Sequence, residues 1–151
     1  KRKRAEARPE LDLAVQKTEL VRQFPLFSDM DEDRRAKLAK ALKARYVQPG
    51  EVLMRKGEIP REVYFIASGA FEVETAGQKT NLGPGEMFGQ LAILSPKLGR
   101  TQVTALSHST LLVLDEERFR RLLNRNSTIR IAVRESAKQR GLKTELLNMP
   151  E

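Results

Sequence analysis

The chain has no cysteine, no tryptophan and only one histidine. Without cysteine there is no disulfide framework, no thiolate-ligated zinc and no thiol nucleophile. A single histidine cannot supply the clustered imidazoles of a metal centre, and neither a Ser/His/Asp arrangement nor a phosphate-binding P-loop stands in the sequence. The residues therefore point away from an enzyme, and no catalytic or metal-ligating residue is assigned. His108, between Ser107 and Ser109, reads as a turn residue. No apolar run approaches the length needed to cross a bilayer.

What is present is charge and punctuation. Lysine and arginine outnumber aspartate and glutamate 28 to 20, for a net charge of +8. That balance draws phosphates, nucleic acid or an anionic membrane surface without choosing among them. A length of 151 residues suits one ordinary domain with room for a packed core. The chain opens without methionine on Lys1, Arg2, Lys3 and Arg4, with Arg8 close behind, which reads as a piece of something longer. Such a cluster is what the positive-inside bias places beside a membrane span, where it meets anionic lipid; a solvated tail is the plainer reading.

Residues 1–24 read as a basic juxtamembrane connector, with Leu13, Leu20, Val21 and Phe24 partly at helical spacing and Pro25 as the stop. A second helix is expected with Asp29 as its cap. It would bury Met30, Leu38, Ala41 and Leu42 and leave Arg34, Arg35, Lys37, Lys40 and Lys43 in water. The period then changes to that of strands: 52–54, 63–67, then Phe71 and Val73 alternating with Glu72 and Glu74, and later 102–106 and 111–114. Gly50, Gly57, Gly69 and Gly77 punctuate them. Short strands at this spacing predict a mainly β fold, an antiparallel jelly roll over about 46–114. Helices flank it on both sides. Asp115 is placed to cap one running to Arg125, and Ser127 to cap another reaching toward Leu147, with Gly141 a weak point or end; these form a C-terminal helical lid over about 115–148. Arg130, Arg134 and Lys138 recur every four residues on the second of them.

The most informative stretch runs from Leu82 to Ser95. Glycines at 83, 85 and 89 permit tight turns and close approach to a ligand, and Leu91 to Leu94 read as one helical turn whose free N–H groups suit an anion. Arg100 and Thr101 follow close enough to close over it. Phe88-Gly89-Gln90-Leu91-Ala92-Ile93, a six-residue interval and Arg100-Thr101 resemble the phosphate-binding cassette of the cyclic nucleotide-binding domain family. That family reads roughly Phe-Gly-Glu-x-Ala-Leu and then Arg-Ser/Thr-Ala. A second similar signature lies upstream, at 47–53, Gly57-Glu58 and 63–73, so the resemblance covers about residues 25–149. Two departures stand out: Gln90 replaces the family's glutamate, and Val103 follows Arg100 by one residue fewer than usual, so that Gly99 is an alternative occupant of the arginine position.

The resemblance implies a ligand, cyclic AMP or cyclic GMP, and no other cofactor. Its phosphodiester would meet the N–H groups near Leu91 and Ala92 together with Arg100 and Thr101, and its ribose hydroxyl would meet Gln90. Phe88 and Gly89 would shape the turn, and Leu82, with Thr80, would face the base. A carboxamide in place of a carboxylate weakens the ribose bond by on the order of 1 kcal/mol. The implied role is a regulatory domain on the cytoplasmic side of a membrane, passing a helix movement through residues 11–24 to a preceding channel or cation/proton antiporter of the same chain. Two alternatives stand beside it: a ligand-free roll used for protein contact or homodimerisation, and the sensor of a catabolite-activator-type transcription factor. No turn and recognition helix follows the long C-terminal helix, so for the last alternative a DNA-reading module would have to lie outside these residues; no specific nucleic acid is expected as a partner of the residues in hand.

Overall fold

The computed structural model describes residues 17–75, 77–95, 101–139 and 141–149. Two antiparallel four-stranded sheets form the roll, in the orders β1-β8-β3-β6 and β2-β7-β4-β5. The strands are β1 (Lys43–Val47), β2 (Val52–Met54), β3 (Glu62–Ser68), β4 (Phe71–Thr75), β5 (Gln78–Leu82), β6 (Met87–Phe88), β7 (Thr101–Ala105) and β8 (Ser109–Asp115). The expected jelly roll is present, with strands over 43–115 rather than 46–114. Lys43, expected on a wet helix face, opens β1 instead, opposite Val113. The expected strand 102–106 runs one residue earlier, because Thr101 pairs with Thr75 while Leu106 turns away, half exposed.

Two cores explain why β3 and β8 read as unbroken apolar runs. Tyr64 and Ile66 of β3, with Leu111 and Val113 of β8, point between the sheets, where they meet Phe71, Val73 and Phe88. Val63, Phe65, Leu112 and Leu114 point the other way and pack against helices. A strand covered on both faces loses its polar alternation. β4 keeps that alternation: Phe71 and Val73 are buried, while Glu72 and Glu74 are partly exposed.

The helices are α1 (Glu32–Ala41), α2 (Gln90–Leu94), α3 (Glu116–Arg125) and α4 (Ser127–Gln139). Residues 17–23 are also helical, and Pro25 opens a 3-10 turn, Pro25–Phe27, rather than continuing them. Residues 1–16, with the basic cluster and Leu13, lie outside the described residues. Asp31, not Asp29, caps α1, accepting from the Arg34 N–H at 2.8 Å. Asp29 is drawn instead to the Thr128 hydroxyl at the start of α4. Met30 and Leu42 are buried just outside α1, and Arg35 is more covered than expected, its side chain only 18% exposed. Ser127 is the first residue of α4 and not its cap. α4 does not reach Leu147, because Gly141 turns with φ +71° and Leu142 N–H closes back on the Ala137 carbonyl at 2.9 Å. Ile129, Val133 and Ala137, four residues apart, form the buried stripe of α4. Among the described residues no helix is long and apolar enough to cross a membrane.

Asp115 caps α3, as the sequence predicts, by accepting from the Arg118 N–H at 2.8 Å. This bond holds the Asp115 carboxyl below the ordinary aspartate range. A lowered folded value means the cap contributes above the ordinary aspartate pKa of about 3.9 and is lost as pH falls through the folded value. Asp115→Ala is expected to cost about 1 kcal/mol at neutral pH, read by urea unfolding. The gap between variant and parent should close in acid.

Candidate functional site

The cassette forms because Gly89 can take φ +93° at the N-cap of α2. A side chain there would meet the Glu62 carbonyl oxygen at 2.9 Å, so β3 requires this glycine as much as the turn does. Gly85 also turns at positive φ, whereas Gly83 does not and carries no such requirement. Phe88 is fully buried, stacked on Tyr64 at 4.7 Å and against Phe71 at 5.2 Å, and it anchors the turn from inside the roll. Burial of that pair pushes the Tyr64 phenol above its ordinary range.

α2 is one short turn, and all five of its residues are buried. Its first N–H groups, Gln90 to Ala92, have no partner within the helix, as at any helix start. Its carbonyl end is tied elsewhere: Arg120 of α3 donates to Ile93 O at 3.3 Å, and the Asn148 N–H donates to Leu94 O at 2.9 Å. The cassette is thus bonded directly to the C-terminal helices and tail.

Gln90 has no exposed surface. Its Nε2 donates to Ser136 Oγ of α4 at 3.4 Å, while its Oε1 is buried without a hydrogen-bond partner. An unpaired buried carbonyl is uncommon and costs about 1–3 kcal/mol, so this oxygen has acceptor capacity that no described protein group uses. Ser136 also lines a cleft of 460 Å³ between roll and lid. Thr80, Leu82 and Met87 supply its roll side, and Ala132, Ser136 and Gln139 its lid side. Glu86 and Glu135 stand at the same cleft, so its charge disfavours a phosphate there and suits an uncharged ring. A larger opening of 830 Å³ beside Ile59 is lined by charges that pair with one another, Asp115 with Arg118 and Glu116 with Arg120, and presents no convergent group.

Of the residues singled out from sequence, Phe88, Gly89, Gln90, Leu91 and Ala92 are contiguous in the cassette, and Leu82 is buried in the roll core with its edge at the cleft. Thr101 bonds to the Thr75 hydroxyl at 3.2 Å. The register sets it at the opposite end of β4 from Leu82, which pairs with Phe71. Arg100 lies outside the described residues. His108 sits exposed in the bend between β7 and β8. Sequence reasoning missed Ser136 and Gln139. The available signal was a small polar residue one step from the Ile129, Val133, Ala137 stripe, where a hydroxyl faces neither core nor open water. Among the described residues no three His, Cys, Asp or Glu side chains group as a metal site.

Residues 44–126 match the family model for the cyclic nucleotide-binding domain. The chain is 37% identical over 114 residues to a putative potassium channel protein of Rhodopseudomonas palustris, covering 73% of this chain and 28% of that protein. It is 31% identical over 126 residues to a cyclic nucleotide-gated potassium channel of Rhizobium etli, covering 83% and 36%. The chain therefore spans only about a third of the length of these relatives or less. The fold matches a cAMP-bound PfPKA-R with a TM-score of 0.76 and 22% identity, over 93% of this chain and 51% of that one.

Proposed function

The chain belongs to the cyclic nucleotide-binding domain family, and from that premise we propose that it binds cyclic AMP or cyclic GMP as a regulatory module. The observation that carries this reading is the buried, unpartnered Oε1 of Gln90, whose Nε2 donates to Ser136 at the cleft between roll and lid. A ribose 2′-hydroxyl donates to that oxygen. The phosphodiester lies on the N–H groups of Leu91 and Ala92, where the helix start favours negative charge, with Arg100 and Thr101 closing over it. The base lies against Leu82 and Thr80. Glu86 and Glu135 keep the phosphate at the cassette end and out of the cleft.

Ligand shifts the lid only through its different affinity for the two lid arrangements, typically 1–3 kcal/mol of coupling. Here α2 passes that difference on through Arg120 and Asn148, and Asp29 with Thr128 links α4 back toward the N-terminal helices. The receiver is a membrane channel or antiporter preceding the domain in the same chain, on the cytoplasmic side, with the basic residues 1–8 at its membrane surface; the channel names among the relatives support this attachment. Calorimetric titration with each cyclic nucleotide tests the reading. Micromolar binding is expected, weakened about 10- to 150-fold by Arg100→Ala, since a charge-assisted bond to phosphate is worth roughly 1.5–3 kcal/mol. Silence of the parent chain with both nucleotides would leave a roll without a ligand.

A further inference from the structure

A second cleft, of 310 Å³, opens between α1 and α3, and no residue of the cassette, β5 or α4 lines it. Arg34 and Lys37 of α1 and Arg118, Arg121 and Arg125 of α3 all reach it. Steps of three and four residues bring each set to one face of its helix, and the two faces look at each other. No aspartate or glutamate lines the cleft. Its floor is apolar: Leu38, Leu114 and Leu122 are buried there.

Three of the cations have acidic neighbours on their own helix or its cap, Arg34 with Asp31 at 3.8 Å, Arg118 with Asp115, and Arg121 with Glu117 at 2.5 Å. Lys37 and Arg125 are exposed and pair with no acidic group among the described residues. Like charges converging over an apolar floor repel one another and raise the local positive potential. A ligand that relieves this carries negative charge at one end and an apolar part at the other. The volume lies at the lower end of small-ligand pockets, too little to seat the successive anchors of a docked peptide helix.

We propose that this cleft seats the headgroup of an anionic membrane phospholipid. The phosphate sits between Lys37 and Arg125, within reach of the other guanidinium groups, and the glycerol end rests on Leu38 and Leu122. Guanidinium forks suit phosphate oxygens, and each basic group at a membrane surface adds to the attraction. The site stands independently of nucleotide binding. It would pin α1 and α3 to a bilayer.

The test is co-sedimentation of the full chain with vesicles of phosphatidylcholine alone or with about one-fifth phosphatidylserine or phosphatidic acid. Binding to the anionic vesicles is expected, weakened at least about tenfold by Lys37→Glu with Arg125→Glu. Arg55→Glu with Lys143→Glu makes the same charge change at exposed positions outside the cleft, and it should weaken binding less than about threefold. Thermal melts of both double variants should match the parent, since all four side chains are exposed. Equal losses from the two double variants would reduce the effect to net charge and overturn the site. Displacement from vesicles by millimolar glycerol phosphate or inorganic phosphate would make it a free-phosphate site, and retention of an acidic peptide with no vesicle binding would make it a protein contact. Either result overturns the lipid assignment.

Discussion

Replacing Gly89 by alanine is expected to cost about 2–5 kcal/mol of folding stability and to remove nucleotide binding with it. The figure combines the left-handed backbone penalty with overpacking against a neighbour that cannot yield. The residue turns at φ +93°, and a Cβ would stand 2.9 Å from the Glu62 carbonyl oxygen and 3.4 Å from the Tyr64 ring. That carbonyl belongs to β3, whose end is fixed by pairing Glu62 with Asp115 of β8, so relief must come from the cassette. Gly69→Ala supplies the contrast. Its backbone is at φ +98°, and a Cβ there would lie 1.9 Å from Ser109 Oγ and 2.7 Å from Ser109 Cα. A comparable stability loss is expected, but at the start of β8 and not in the cassette, so the folded fraction should still bind ligand. Urea unfolding and calorimetric titration below the transition check both. A Gly89→Ala chain with the parent's midpoint would show that the turn does not hold α2 in place.

The roll was legible because its strands announce themselves in two ways, by alternation where one face is wet, as in β4, and by apolar runs where both faces are covered, as in β3 and β8. β6 was not legible. Two residues carry no period, and Met87 and Phe88 form a strand only because Tyr64 and Phe65 are there to pair with them. The choice of cap for α1 failed for a related reason: Asp29 and Asp31 are equally good caps locally, and the difference is set by Thr128, far along the chain. Arg35 looked wet because charge is read one residue at a time, while its burial comes from its neighbours. The cassette itself was read correctly as a turn followed by a short helix, since glycine spacing is a local signal. Its partner Ser136 was only half legible: its place one step from the apolar stripe of α4 is a local signal, but nothing in residues 127–139 tells that this side of α4 meets Gln90. The paired basic faces of α1 and α3 belong to the same class: each is an ordinary solvated face until the fold brings them together.

Gln90→Ala is expected to weaken cyclic nucleotide binding about 5- to 150-fold, because a hydroxyl buried without its acceptor loses roughly 1–3 kcal/mol. Under the proposed pose the ligand hydroxyl breaks nothing on entry. Gln90 Nε2 stays on Ser136 while Oε1, already dry and unpaired, takes the new proton. The 2′-deoxy cyclic nucleotide isolates that bond: it should bind the parent chain more weakly than the ribose form, and the Gln90→Ala chain should no longer distinguish the two. Gln90→Glu should bind the ribose form more tightly by a factor of about five, since a charged acceptor strengthens the bond by about 1 kcal/mol. The same carboxylate, placed where no surface is exposed, is disfavoured by burial in the empty site, so the unliganded chain should melt earlier and gain more on adding nucleotide. Ser136→Ala separates lid from ribose. It removes the only hydrogen bond seen on Gln90 among the described side chains and frees the carboxamide to turn, which should cost a few-fold in affinity while leaving the ribose preference in place. If the deoxy ligand bound the parent chain as tightly as its ribose counterpart, Gln90 would be a strut between cassette and lid, and the oxygen it keeps unpaired would have some other purpose than ribose.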